Sequence, residues 1–553
     1  MSASSKKKLR KEQTAALLTE KQQQAQKEAK KLKITSIAFV AALLVLVVAF
    51  AAIMSVNLVK NSGMIEKKTI AATVGDHKIN SVEFNYYYTD LITNTYNEWY
   101  SAYGDSMSTY MSMMGLDLSK PLNEQTYATN EDGSTMTWAD YFTDYALERM
   151  QSDYALYDAA MAAGYELTEE DQTSLDTAMT MMDLYAQWYG YSNTTKYLQA
   201  MYGPGAKEST YAEYSRLSTI ATSYYNAHAN ALTYDNAAIE AYDAEHATNY
   251  NSYSYAYYFI NYSKFLGEGT KDESGTVVYT EEERNAAREE AKAVAESLLT
   301  AKTVEEFDAA IAALEINKES TSATSNKLDK EQGSATGSIF KEWVQDASRK
   351  EGDMAALPYT STSTDADGKE TTVTNGYYVV LFQGVITNER PVGNVRHLLV
   401  KFEGGTTENG TTTYSVAEKE AAKTEAEGYL NTWLNGAKTE ESFIELVKAH
   451  SDDSSASTGG LFEDITPASS YVTNFRDWAI DENRKVGDAE VIETEYGYHV
   501  MYYVGASELN YRQMLVEADI RAEDQDKWYD EIFNSITATL GDLKCIELDK
   551  VLG

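Results

Sequence analysis

The 553-residue sequence predicts an α+β protein with a transmembrane helix, a helical lobe, two tandem copies of a small antiparallel sheet flanked by helices, and a C-terminal helix. Three observations predict this order. The run 34–59 contains no charged residue. Residues 70–247 space aromatic and apolar side chains at helical period with almost no proline. The second half of the chain repeats itself over more than a hundred residues, the mark of a duplicated domain rather than a solenoid.

Residues 1–33 hold ten Lys/Arg and three Asp/Glu. The apolar run from Ile34 to Val59 follows, mostly Ala, Val, Leu and Ile. At ~1.5 Å per residue its 26 positions exceed the ~30 Å of a hydrocarbon core. Lys27, Lys30, Lys31 and Lys33 precede it, so the positive-inside rule puts 1–33 in the cytoplasm and everything after Lys60 outside, in a single-pass membrane protein. A cleavable signal peptide is the rival reading, with Ala49-Phe50-Ala51 as its opening, but its apolar region is normally shorter, roughly 7–15 residues. Formal net charge is −38, and the part after residue 33 carries −45. Such a surface repels phosphates and excludes nucleic acid as partner. The sole cysteine, Cys545, excludes an internal disulfide and any CxxC metal or redox motif.

The helical lobe is read as 65–247. Thr69 to Ile79 forms a hairpin around Gly75-Asp76. Helices are expected over Val82–Tyr103 and Trp138–Ala163, the latter stopped by Gly164. Thr168 caps a third, with Glu169, Glu170 and Asp171 in its first turn. Tyr211–Leu232 and Asn236–His246 supply two more. Met107, Met111, Met113, Met114, Met179, Met181 and Met182 are adaptable side chains, suited to core filling first and to contact with varied polypeptides second.

The copies are placed at 248–388 and 392–506. Phe340-Lys341-Glu342-Trp343 matches Phe475-Arg476-Asp477-Trp478, and Gly376-Tyr377-Tyr378-Val379 matches Gly497-Tyr498-His499-Val500. Tyr255–Tyr262 and Val395–Phe402 are the matching opening strands. The copies differ in chemistry: Tyr257 and Tyr378 stand in the first where His397 and His499 stand in the second. The polar stretch Thr360 to Thr374 reads as an exposed loop. The tail 507–553 reads as a helix carrying Trp528, Ile532, Phe533 and Ile536, then a strand at Cys545–Leu548.

In the second copy His397 lies on the apolar strand Arg396–Val400 and His499 on Gly497–Met501. Between them come Ser451-Asp452-Asp453-Ser454-Ser455 and the pair Gly459-Gly460. In order, spacing and strand context this set resembles the parvulin-type peptidyl-prolyl isomerases. The resemblance implies catalytic roles for His397, Asp453 and His499, with Asp452 a rival in register. It implies substrate contacts from Phe475, Tyr471, Leu461 and Thr494. Leu461 and Tyr471 depart from the family pattern, where Asp-Leu-Gly and a methionine are usual. Anchor, helical lobe and paired domains together resemble extracytoplasmic foldases of the PrsA/SurA type, which implies that 507–553 folds back to complete the lobe.

In function the resemblance implies a membrane-anchored foldase that isomerises X-Pro bonds and binds unfolded or exported polypeptides; the alternative is a holdase of the same fold without catalysis. Neither needs a cofactor. The sequence has no HExxH, no GxSxG and no histidine-cysteine cluster, so a metal or hydrolase reading has no support.

Overall fold

The computed structural model describes residues 62–130, 133–320, 322–364, 369–408 and 410–548. The expected tail 1–33 and apolar run 34–59 lie outside the described residues, among which no helix is long and apolar enough to cross a membrane. The chain divides into two compact units. One holds the residues up to Leu232 with those from Asp524 onward; the other holds Thr233–Glu523.

In the first unit, β1 (Ile70–Val74) and β2 (His77–Asn80) form the expected hairpin. Its tight turn uses Gly75 at φ +54°, a conformation favouring glycine. Asn80 then caps α1 (Ser81–Tyr103) by accepting from the Val82 and Glu83 amides. α2 (Trp138–Ala163) opens on a Thr137/Asp140 capping box and ends on left-handed Gly164. α3 (Glu169–Trp188) opens on a second box, Thr168/Asp171. α4 (Thr194–Tyr202) and α5 (Glu208–Ala231) complete the unit's long helices. Phe84, Tyr87, Tyr88, Trp138, Phe142 and Met150 fill the core. Of the lobe's methionines, Met107 is buried and Met113 is exposed.

The tail's strand is displaced from its expected position. Ala538–Leu540, not Cys545–Leu548, pairs antiparallel with β1. β1 offers one free edge, and the Gly541 amide continues that ladder to the Ala71 carbonyl. A Cβ at Gly541 would sit 2.5 Å from the Ile70 carbonyl oxygen, so only glycine lets the chain leave there. Cys545–Leu548 turns instead, and Ile546 joins the core.

The lobe read as 65–247 ends at Leu232. α6 (Asn236–His246) belongs to the second unit, where Ile239 packs with Tyr250, Val516 and Ile520. The reason is one buried cation. Arg512 donates to both Asp243 carboxylate oxygens, at 2.6 and 2.7 Å, and to the Thr387 and Ala247 carbonyls. For the same reason the part of 507–553 up to Glu523 belongs with this unit rather than with the lobe.

Two four-stranded antiparallel sheets share one topology. In the first copy β3 (Ser252–Asn261) leads through α7 (Glu281–Ser297) and α8 (Val304–Ala313) to β4 (Asn326–Gln332). α9 (Ser338–Val344), β5 (Met354–Thr364) and β6 (Glu370–Ile386) follow, in sheet order β4-β3-β6-β5. In the second, β7 (Gly393–Lys401) leads through α10 (Val416–Leu434) and α11 (Glu440–His450) to β8 (Leu461–Ile465). α12 (Thr473–Ala479), β9 (Ala489–Thr494) and β10 (Gly497–Ala506) follow, in order β8-β7-β10-β9. α13 (Tyr511–Phe533) comes after.

The stretch Thr360–Thr374, expected as a loop, is largely the outer part of a long β5–β6 hairpin. Its Thr and Ser residues are polar enough to read as loop, yet β-branched threonine favours extended backbone. A cross-strand hydroxyl bond of 2.8 Å joins Thr362 to Thr372.

Strand alternation splits the second sheet's chemistry. Leu398, Val400, Tyr498, Val500 and Tyr502 pack with Ala422, Ala426 and Trp433 of α10 and with Phe443 and Val447 of α11. Val395, Met501 and Tyr503 occupy the other face, with Phe475 and Trp478 of α12. His397 and His499 fall on this second face.

Candidate active site

β7 and β10 pair so that Leu399 faces His499 and His397 faces Met501. The two histidines are therefore diagonal neighbours on one face, within reach of each other. Their Nδ1 atoms lie 2.9 Å apart, with the rings stacked at 5.0 Å. Both are buried, at 2 % and 5 % exposure. Two nitrogens at that distance share one proton, one ring donating and the other accepting.

The loop after α11 supplies the carboxylate. Gly460 at φ +64° lies so close to β7 that a Cβ would stand 2.2 Å from the His397 carbonyl oxygen. Its own carbonyl accepts the His397 amide at 2.9 Å. That seam fixes the preceding turn, in which Asp453 Oδ1 accepts from the Ser455 amide (2.9 Å) and hydroxyl (2.5 Å). Oδ1 stands 3.6 Å from His397 Nε2. The imidazole and the two Ser455 bonds hold the Asp453 carboxyl well below the usual carboxylate range, against its partial burial. Asp452, the rival in register, points elsewhere: its carboxylate accepts the Lys401 amide at 3.0 Å.

Thr494, expected to contact substrate, borders the cleft beside Tyr471 and also reaches inward to His499. It is buried, and its Oγ1 lies 2.9 Å from His499 Nε2 and 3.2 Å from the Tyr496 amide. It positions the imidazole. Burial pushes His499 down to about 3, and the adjacent His397 acts in the same direction. His499 is thus neutral at physiological pH. One proton assignment fits these contacts, with the Gly497 carbonyl, 3.4 Å away, as the Thr494 hydroxyl's other acceptor. Tyr496 N–H donates to Thr494 Oγ1, Thr494 O–H to His499 Nε2, His499 Nδ1–H to His397 Nδ1, and His397 Nε2–H points to Asp453.

An aromatic wall stands over the imidazoles. Phe475 meets His397 edge-on at 5.2 Å and His499 at 5.5 Å. Tyr471 packs on Phe475 at 5.6 Å and is 39 % exposed. A cleft of about 500 Å³ opens beside it, lined by Ser470–Asn474 and Thr494–Tyr496. Leu461 does not join the wall. It pairs with Arg396, one residue out of phase with His397, and so belongs to the opposite face. Phe462 takes the place, 4.9 Å from the His397 ring. Sequence reasoning missed Phe462 and Ser455; the strand parity set by Gly460 is the signal that would have found the first.

In the first copy the corresponding positions form a continuous aromatic cluster. Tyr257 lies 4.8 Å from Phe340 and 5.8 Å from Tyr378, and Phe259 lies 4.5 Å from Tyr378. Neither imidazole has a counterpart there. Among the described residues no group of three or more His, Cys, Asp or Glu is placed to hold a metal.

The family described as the PPIC-type PPIase domain matches residues 385–504. Among solved structures, the peptidylprolyl isomerase PrsA from Bacillus anthracis aligns at 19% identity and TM-score 0.17, over 27% of this chain and 59% of its own, so less than two thirds of that protein is spanned. The peptidyl-prolyl isomerase ESS1 from Candida albicans aligns at 18% identity and TM-score 0.17, over 27% of this chain and 95% of its own. PrsA from Bacillus subtilis aligns at 11% identity and TM-score 0.21, over 74% of this chain and 90% of its own. No curated protein matches the chain. The family match coincides with the sheet that carries the paired imidazoles: residues 385–504 of this chain match the PPIC-type PPIase domain.

Proposed function

We propose that the protein is a membrane-anchored extracytoplasmic foldase that catalyses cis–trans isomerisation of X-Pro bonds and binds unfolded exported polypeptides. The buried imidazole pair, ordered by Thr494 on one side and facing Asp453 on the other, carries this reading. The anchor rests on the uncharged run 34–59 and the lysines before it.

Isomerisation makes and breaks no covalent bond, so no nucleophile is required. The obstacle is amide resonance, worth ~18–20 kcal/mol. The rotation takes tens to hundreds of seconds unaided, slow enough to limit folding of an exported chain. Phe462, Tyr471 and Phe475 offer an apolar wall for the pyrrolidine ring. The neutral His499 and its bonded partners form a floor of fixed dipoles that does not reorganise as the amide twists. Asp453 supplies the negative charge at the rim.

The holdase reading has one specific observation behind it: the first copy keeps the fold but carries the aromatic residues Tyr257 and Tyr378 where the second has its two imidazoles. We assign holding to that copy and to the lobe, and catalysis to the second. The test is exchange of a proline tetrapeptide by the full chain, beside suppression of aggregation of a denatured protein. Phe475→Ala should lower isomerisation at least tenfold while Tyr378→Ala leaves it near wild type, about the loss of a wall aromatic's contacts. A wild-type chain that suppresses aggregation at the uncatalysed isomerisation rate would leave the holdase alone standing.

A further inference from the structure

The cleft beside the aromatic wall has a chemistry of its own. Two stretches build it, Ser470–Asn474 at the start of α12 and Thr494–Tyr496 in the β9–β10 turn, and it holds about 500 Å³. That is room for a side chain beyond the pyrrolidine ring. Two phenol rings stand at its mouth. Tyr471 is 39 % exposed and is held by Phe462 and Phe475, at 5.5 and 5.6 Å. Tyr496 is 59 % exposed, on a turn fixed by the bond from its amide to Thr494 Oγ1.

Among the lining residues Glu495 carries the one formal charge. The cations that flank both stretches are already paired. Arg476 bonds Asp477 at 2.9 Å, and Lys419 bonds Glu493 at 2.9 Å. The cleft therefore offers a carboxylate and two ring faces, and no cation. The wider field has the same sign, since residues 392–506 hold nine Lys/Arg and 20 Asp/Glu. A ring face attracts a cation through its quadrupole, and a carboxylate at the same mouth adds to that attraction. An anionic side chain meets repulsion from the same groups.

We propose that this cleft is a specificity subsite that seats a lysine or arginine next to the isomerised proline, its stem along Tyr471 and Tyr496 and its charge on Glu495. This rests on the reading of the paired imidazoles as an isomerase site. Tyr471 belongs to both the wall and the cleft, so a pyrrolidine against Phe475 leaves its neighbour's side chain beside the cleft. Client segments with a basic residue beside proline are isomerised fastest, and those with an acidic one slowest.

The test measures kcat/KM of the full chain on proline peptides that differ in one residue, Lys, Gln or Glu, placed before the proline in one series and after it in another. Expected in one of the two series is Lys over Gln over Glu, by about fivefold per step at low salt, the factor for an exposed ion pair with a ring contact. At about 1 M salt the steps should shrink below about twofold. Glu495→Lys should reverse the order, and Tyr496→Leu should bring the Lys peptide toward the Gln one. An order that Glu495→Lys leaves unchanged overturns the subsite and assigns the preference to the field of the whole chain. No order in either series overturns it too. If every peptide exchanges at the uncatalysed rate, the isomerase reading fails, and fluorescence anisotropy of the same peptides decides the subsite on binding alone. Lys bound over Glu by the wild type, with the reverse in Glu495→Lys, upholds it; equal binding overturns it.

Discussion

Thr494→Val is the sharpest probe of how the site is held. The side chain is 7 % exposed and its Oγ1 lies 2.9 Å from His499 Nε2. Valine keeps the branched shape and opens no cavity, but it deletes the hydroxyl. His499, itself buried, then loses the partner of Nε2. A buried polar group left unpaired costs about 1–3 kcal/mol. The Tyr496 amide, whose residue is 59 % exposed, recovers a bond to water and adds little. Stability of the second copy should fall by about 2 kcal/mol. Without the Thr494 proton, His499 is free to carry its own on Nε2 and to accept at Nδ1, reversing the pair. If that reversal is worth ~1.4 kcal/mol, kcat falls about tenfold while KM stays within about twofold, since Thr494 orders the floor rather than gripping substrate. Peptide exchange kinetics measure the split, and imidazole ¹⁵N shifts report which nitrogen of His499 is protonated. Thr494→Ser should restore both. A valine variant with raised KM, unchanged kcat and unchanged ring shifts would return Thr494 to substrate contact and refute the positioning argument.

Asp453→Asn should cost at least tenfold in activity, the scale of a charged hydrogen-bond partner lost, whereas Asp452→Asn retains an acceptor for the Lys401 amide and changes little; equal losses would mean the wrong carboxylate has been assigned. His499 is lowered to about 3 when folded and titrates near 6.5 when unfolded, so below pH 6.5 the unfolded chain takes up a proton that the folded one declines. Its contribution to stability is complete above that pH and is lost as pH falls toward 3, by about 2 kcal/mol at pH 5. Asp453, depressed by His397 and Ser455, adds loss in the same direction only below about pH 4. Urea unfolding of the wild type and His499→Leu at pH 7 and 5 isolates the histidine; identical pH dependence in both would refute a neutral buried imidazole. Gly460→Ala adds a Cβ 2.2 Å from the His397 carbonyl at φ +64°, and should abolish hydrogen-exchange protection of β7; retained protection would show that the loop can yield.

What the sequence determined is local. The capping boxes at Thr137 and Thr168, the Gly164 stop and the 3.6-residue spacing are written in neighbouring residues, because helix ends are satisfied by side chains within one turn. The repeat and the two strand histidines were legible for a similar reason: alternation along a strand announces which residues share a face. Tertiary structure decided every question of pairing between distant segments. Where β8 starts against β7 put Phe462, not Leu461, beside His397. The seam at Gly460 turned Asp453 inward and left Asp452 on a backbone amide. The free edge of β1 selected Ala538–Leu540 from the tail, and the buried Arg512 drew α6 out of the lobe. A one-residue shift in register exchanges the two faces of a strand at no cost visible in composition, so only the folded chain records which face holds the chemistry.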